Sequence, residues 1–175
     1  ACIGKWHLGM GLAKSPDDLT IENGPITRGF DAFFGISASL DMPPYTFLEN
    51  DRVTVAPTAR KKFLREGPAA PGFEAVDVLP TLTRRATDYI ARRAAAGQPF
   101  FLYLALTAPH TPIVPAAEWR GRSGLNPYAD FVMQTDAGVG QVLAALDEAG
   151  IAANTLVIFT SDNGCAPAAG LAALE

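Results

Sequence analysis

Only two cysteines and two histidines occur in 175 residues. Two thiols, Cys2 and Cys165, cannot build a disulfide framework, and sequence alone does not bring them within bonding distance. They read as small buried hydrophobes. No apolar run approaches the roughly 18–20 residues that a membrane-spanning helix needs. An excess of positive charge is also absent. Fourteen Lys and Arg against eighteen Asp and Glu give a net charge of -4, which argues against a nucleic-acid partner. The cluster Arg84, Arg85, Arg92 and Arg93 falls at helical spacing and reads as the solvated face of one helix. No internal repeat and no leader segment is visible. The chain opens on Ala1-Cys2-Ile3 without an initiator Met, as if a strand were already under way. The N-terminus therefore reads as a cut, with any targeting segment upstream.

What is present is an ordinary globular composition, 49% hydrophobic and 18% charged, of a length suited to one domain. Residues 1–4 read as the end of a buried strand, broken at Gly4. A Gly-, Pro- and Asp-rich path follows to about Arg28, then an aromatic knot from Gly29 to Gly35. Tyr45 to Val55 alternates around Asn50-Asp51, the pattern of a short hairpin. Within 36–76, residues 56–76 hold several Pro, Gly and basic residues and read as a variable loop. From Asp77 the period becomes helical, with Val78, Leu82, Ala86, Tyr89 and Ile90 on one face and an end near Gly97. Phe100 to Leu106 is a continuous apolar run, the length of a strand buried on both faces. Asn126 and Pro127 read as cap and first turn of a helix reaching about Ala149, with Phe131, Val139, Val142, Leu143 and Leu146 inward. Thr155 to Thr160 reads as another buried strand, stopped by Ser161-Asp162-Asn163-Gly164. The alternation predicts an α/β fold, a mainly parallel sheet layered between helices. Residues 168–175 read as a frayed end or a cloning scar.

In open α/β sheets, ligands bind beyond the carboxyl ends of strands. Lys5-Trp6-His7, Pro109-His110-Thr111-Pro112 and Asp162-Asn163-Gly164 all stand just past a predicted strand. Between them they hold both histidines, a lysine, a carboxylate and an amide. Asp162 and Asn163 offer hard oxygen ligands for Ca²⁺ or Mg²⁺. Lys5 offers a compact positive charge for an anionic oxygen, and His7 and His110 can move protons near neutral pH. Two histidines so far apart lack the ligand spacing of a zinc site. The set suits an anionic ester whose bridging oxygen gains charge as it leaves, a sulfate or a phosphate. Taken singly, each residue also has a structural reading. Asp-Asn-Gly is a common turn, His110 can satisfy loop backbone groups, and Asp31 in the aromatic knot can cap or turn the chain.

Taken together, these segments resemble the sulfatase family. Gly4-Lys5-Trp6-His7-Leu8-Gly9 is similar to the family's second signature. Gly29-Phe30-Asp31-Ala32-Phe33-Phe34-Gly35 resembles the aromatic segment that follows it. Pro99 to Tyr103, leading into Ala108-Pro109-His110-Thr111-Pro112, resembles the central strand and histidine loop, and Thr155 to Gly164 the metal-binding strand end. Order and spacing agree over residues 1–167, and the likeness is to the arylsulfatase branch acting on aryl or carbohydrate sulfates. It implies an alkaline-phosphatase-like fold and an incomplete catalytic domain over 1–175. It also implies roles: Lys5 contacting sulfate, His7 hydrogen-bonding a formylglycine nucleophile, and His110 contacting sulfate and protonating the leaving oxygen. Asp162 and Asn163 become calcium ligands, Ca²⁺ being expected ahead of Mg²⁺. The substrate is then a small sulfate ester or a sulfated carbohydrate, and the parent protein periplasmic, secreted or lysosomal.

The departures are specific. The family oxidises a cysteine in Cys-x-Pro-x-Arg to formylglycine, and this sequence has no such motif. Cys165-Ala166-Pro167-Ala168-Ala169 imitates its first half, with Ala169 where Arg is required. The paired aspartates of a first strand and a second lysine after Asn163 are missing too. The 175-residue chain is therefore expected to be inactive alone. Two other readings stay open: a phosphomonoester or phosphodiester hydrolase of the same superfamily, and a non-catalytic oxyanion-binding module.

Overall fold

The computed structural model describes residues 1–12, 19–165 and 169–170. Strand β1 (Cys2–Lys5) is an interior strand, one in from the edge, of a five-stranded mixed sheet. On one side β1 pairs in parallel with β4 (Phe33–Ile36), and on the other with β9 (Tyr103–Ala105). Beyond β4 the sheet continues antiparallel through β5 (Leu48–Glu49) and β6 (Arg52–Val53). These two form the hairpin expected around Asn50-Asp51. Asn50 adopts a left-handed φ of 55°, a conformation Asn tolerates well. Its backbone N–H donates to Phe33 O, and its Oδ1 accepts from Phe33 N at 3.1 Å, so the turn is tied to the next strand.

Because side chains alternate across a strand, β1 and β4 each supply both faces. Ile3, Phe34 and Ile36 join the larger core, which contains Val78, Leu82, Ala86 and Tyr89 of α1 (Val78–Ala95). Cys2 and Phe33 face the other way, packing with Ile21, Leu48 and Val53. A small ribbon, β2 (Gly11–Leu12) with β3 (Ile21–Glu22), brings Ile21 into this second cluster. The helical face of α1 is the one the periodicity gives. Of the arginine cluster, Arg84 and Arg92 are exposed, but Arg85 lies over the Phe34 ring at 4.0 Å and reaches Glu49 at 3.2 Å.

Helix α2 (Pro127–Glu148) packs on α1 and starts where expected, with Asn126 Oδ1 accepting from Ala129 N at 2.9 Å. Its inward face differs in part. Phe131 and Leu146 are buried, but Leu143 is exposed, and Asp130, Gln134 and Gly138 are buried instead. The reason is close approach: a Cβ on Gly138 would stand 3.0 Å from Thr83 Oγ1. Backbone contact thus takes the place of a large side chain.

Four expectations are corrected. Residues 56–76 are not one irregular loop, since β7 (Ala59–Lys62) and β8 (Glu66–Ala69) form an antiparallel hairpin. The 100–106 run yields a strand of only three residues at a sheet edge, with Phe101 70% and Tyr103 48% exposed. Thr155 to Thr160 is not a buried strand. It pairs with none of the described strands, and Leu156, Ile158 and Phe159 are between 78% and 86% exposed. A strand needs a neighbour's backbone groups beside it, and here none is adjacent. Cys165 is exposed and Cys2 fully buried, and both are free thiols. Of the expected frayed end, 168 and 171–175 lie outside the described residues.

Candidate active site

The site begins with register. β1 and β9 run parallel with Gly4 opposite Ala105, and β4 runs parallel to β1 with Ile36 opposite Lys5. All three strands therefore end at one edge of the sheet. Just beneath that edge the backbones touch. A Cβ on Gly35 would fall 1.7 Å from Gly4 O, and one on Gly4 would fall 1.9 Å from Ala105 O. Glycine before Lys5 is what lets the three chains close up.

Past the edge, β1 delivers Lys5, Trp6 and His7. Trp6 N–H donates to Ile36 O at 3.1 Å and His7 N–H to Ser37 O at 3.0 Å, so the loop stays zipped to the end of β4. The indole N–H closes back on Gly9 O at 2.9 Å. His7 holds a left-handed φ of 55°, unusual for a residue with a side chain and costing on the order of 1 kcal/mol. Those hydrogen bonds hold it there, with its side chain exposed. Lys5 is half-buried, and its ammonium has no ion-pair partner among the described residues.

From β9 the chain runs through Thr107 into His110, which stands between cis prolyl bonds at Pro109 and Pro112. The ring Nδ1 lies 2.8 Å from Thr111 O. The Thr111 hydroxyl lies 3.3 Å from the same nitrogen, so Nδ1 is engaged by Thr111 and Nε2 is the nitrogen left for a ligand. His110 is exposed.

Asp162 and Asn163 arrive differently. The turn after α2 is closed by Ile151 N–H to Leu146 O and Thr155 N–H to Ala152 O. Ten residues after Thr155, Cys165 meets the Tyr128 hydroxyl at the start of the same helix. Burial, followed by the Cys165 hydrogen bond, pushes that phenol's pKa upward. A helix of 22 residues is about 33 Å long. Residues 155–165 therefore lead from beyond the end of α2 back toward its start. The starts of α1 and α2 line one cleft, and α2 follows the loop leaving the carboxyl end of β9. Asp162 and Asn163 lie on this return path.

The cleft of about 600 Å³ between the helix starts is lined by Phe63, Ile113, Arg120, Leu125 and Asp130 among others. All five candidates lie outside it and outside a smaller cavity near Ala1. Asp162 and Asn163 are both exposed, and no cluster of three acidic, His or Cys side chains suited to a metal occurs among the described residues. Their two oxygens fit a hard cation in kind but supply only part of a shell of six to eight.

Three polar residues at this edge escape sequence reasoning. Ser37 holds His7 through its carbonyl, and Ser39, buried, donates to Asp41 Oδ1 at 2.7 Å. Thr107 is 4% exposed, and its hydroxyl has no partner among the described residues. Their positions, one or more residues beyond a strand end, were the available signal.

Comparison with known proteins fits this layout. A sulfatase family profile matches residues 1–171. The chain is 34% identical over 169 residues to mouse N-acetylgalactosamine-6-sulfatase, covering 94% of this chain and 30% of that protein. It is 31% identical to a Bacteroides thetaiotaomicron N-acetylgalactosamine-6-O-sulfatase, covering 93% and 39%. Against human arylsulfatase A the identity is 33%, covering 92% and 32%. A solved structure from work on glycosaminoglycan metabolism by Bacteroides thetaiotaomicron superposes with a TM-score of 0.79 at 26% identity. That match covers 93% of this chain and 42% of that one. The chain spans between three and four tenths of the length of these curated relatives. A profile match over nearly the whole chain and a shared fold settle the parentage: this chain belongs to the sulfatase family, whose members are sulfuric ester hydrolases.

Proposed function

We propose that these 175 residues supply the sulfate-holding and proton-donating part of a sulfuric ester hydrolase acting on aryl or carbohydrate sulfate monoesters. The observation that carries the reading is the parallel register of β1 and β9, which starts the Lys5 and His110 loops from one edge. The Lys5 ammonium, without an ion-pair partner among the described residues, binds a nonbridging sulfate oxygen and offsets charge there. His110, as the imidazolium, presents Nε2–H, on the nitrogen not engaged by Thr111, to the bridging oxygen. That proton passes to the oxygen as the S–O bond breaks, so the leaving group departs as an alcohol and the ring is left neutral. His7, fixed by its hydrogen bonds to β4, accepts a hydrogen bond from the nucleophile. Formylglycine in such enzymes supplies the attacking oxygen, and its cysteine motif is not within this sequence. Asp162 and Asn163 would hold a divalent cation, Ca²⁺ ahead of Mg²⁺, which when bound neutralises sulfate oxygens. Sulfated saccharides are the favoured substrates, as the N-acetylgalactosamine sulfatases among its relatives suggest.

The 175-residue chain should show no aryl sulfate turnover above a His110→Ala control. In a longer protein containing this sequence, His110→Ala should lower kcat by about 10²–10⁴-fold on a sugar sulfate. The loss should be much smaller on nitrophenyl sulfate, whose leaving oxygen needs no proton. Equal losses on both substrates would remove the general-acid role. Faster cleavage of the matching phosphate ester would move the enzyme to the phosphohydrolase class.

A further inference from the structure

Four of the fourteen basic residues lie between positions 60 and 65, in a chain of net negative charge. They sit on the β7–β8 hairpin, and their surroundings divide them. Arg60 pairs with Glu66 at 3.0 Å and Lys61 pairs with Glu74. Lys62 is exposed and has no ionic partner among the described residues, since Glu66 opposite it in register is turned to Arg60. Arg65 is 63% exposed and only loosely paired, 3.9 Å from Asp41 Oδ2. Two cations at the hairpin tip are thus left available.

The hairpin's position is fixed by Tyr45. Tyr45 N–H donates to Pro68 O, Ala70 N–H donates to Tyr45 O, and the phenol donates to Arg65 O. Gly67 leaves room for Pro43, which a Cβ there would meet at 2.3 Å. The path from the candidate sulfate site to the tip is continuous. Ile36 stands opposite Lys5, Ser37 accepts from His7, Ser39 donates to Asp41, and Asp41 faces Arg65. Ser37 to Asp41 is five residues, at most about 17 Å, within the length of a short oligosaccharide.

We infer that Lys62 and Arg65 form a subsite for a second anionic group, a sulfate or carboxylate, on the same saccharide chain whose scissile sulfate Lys5 holds. This deepens the function proposed above and rests on it for the identity of the ligand. Arg65 offers a planar fork to a trigonal or tetrahedral anion, and its loose 3.9 Å approach to Asp41 leaves its donors uncommitted.

Calorimetry on the 175-residue chain tests this with a chondroitin sulfate tetrasaccharide carrying two sulfates and with its singly sulfated counterpart. The doubly sulfated probe should bind more tightly. Lys62→Ala/Arg65→Ala should weaken it about five- to twentyfold, two exposed charge pairs being worth up to about a factor of five each, and should abolish the preference. Arg84→Ala/Arg92→Ala, which removes the same charge from the exposed face of α1, should leave the preference intact. Equal binding of both probes to the unmodified chain would overturn the subsite, as would an equal loss in the α1 variant. If Lys5→Ala abolishes binding and the hairpin variant does not, the subsite falls while the proposed site stands. If the hairpin variant abolishes the preference and Lys5→Ala changes nothing, the subsite stands and the proposed role of Lys5 falls. Circular dichroism of each variant confirms that the fold persists.

Discussion

A methyl group on Gly35 would have to occupy the space of the Gly4 carbonyl oxygen, 1.7 Å away. Backbone atoms in the middle of a sheet cannot step aside as a flexible side chain can. Gly35→Ala is therefore expected to destabilise the chain by at least about 2–3 kcal/mol. Gly9→Ala is the contrasting case. Its φ of 82° disfavours a side chain, but open space surrounds it, so the cost should stay near 1 kcal/mol. Urea melts of the two variants give the comparison, and a Gly35→Ala protein as stable as the parent would refute the close-packed edge. Lys5, His7 and His110 were legible because they sit in distinctive strings or hold the chain's only imidazoles. Why glycine must precede Lys5 was not legible, because the clash partner, Ala105, is about a hundred residues away. Ser37, Ser39 and Thr107 were hidden for a simpler reason: hydroxyl residues are common in loops, and only register places these beyond the carboxyl ends of β4 and β9.

At the scale of elements, α1, α2, β1 and the β5–β6 hairpin were readable because each carries a local signal: helical period, an Asn-Pro cap, or Asn-Asp between alternating residues. The β7–β8 hairpin carries none. Ala59-Arg60-Lys61-Lys62 lacks the branched and aromatic residues of a strand, and its order comes from Tyr45, which packs against Phe63 and Phe73. A similar long-range tie governs the loop before α2. Asp130 is buried on the helix, and its carboxylate accepts from Gly121 N, Ser123 N and Ser123 Oγ. These bonds, that from the Ser123 side chain foremost, hold its pKa below the usual carboxylate value. The sign follows from linkage. A depressed folded-state pKa contributes stability that is complete above the ordinary range near about pH 4 and vanishes as pH falls through the lower folded value. Asp130→Asn should therefore be less stable than the parent at pH 7, and its melting temperature should fall less steeply from pH 5 to pH 3. Parallel pH profiles would show that the carboxylate is not the anchor of this loop.

For the molecule as a whole, the segment from Leu156 to Phe159 separates what composition can say from what it cannot. Its residues are those of a strand buried on both faces, yet Leu156 and Ile158 lie at least 79% exposed, and Phe159 is 78% exposed. Being a strand is a relation to neighbours, and the run has the side chains for one without a strand beside it. Phe101 and Tyr103 on the edge strand β9 are exposed as well. Each fully buried side chain of this size would gain about 1.5–3 kcal/mol, so exposed strips of this kind drive self-association. The 175-residue chain should accordingly form oligomers at micromolar concentrations in size-exclusion chromatography with light scattering. Ile158→Asp/Phe159→Asp should shift it toward monomer while leaving its melting temperature within a degree or two, because those side chains touch little within one molecule. A monomeric parent chain with a cooperative melt would contradict this, and so would a variant that unfolds, since either requires the strip to be packed within its own fold.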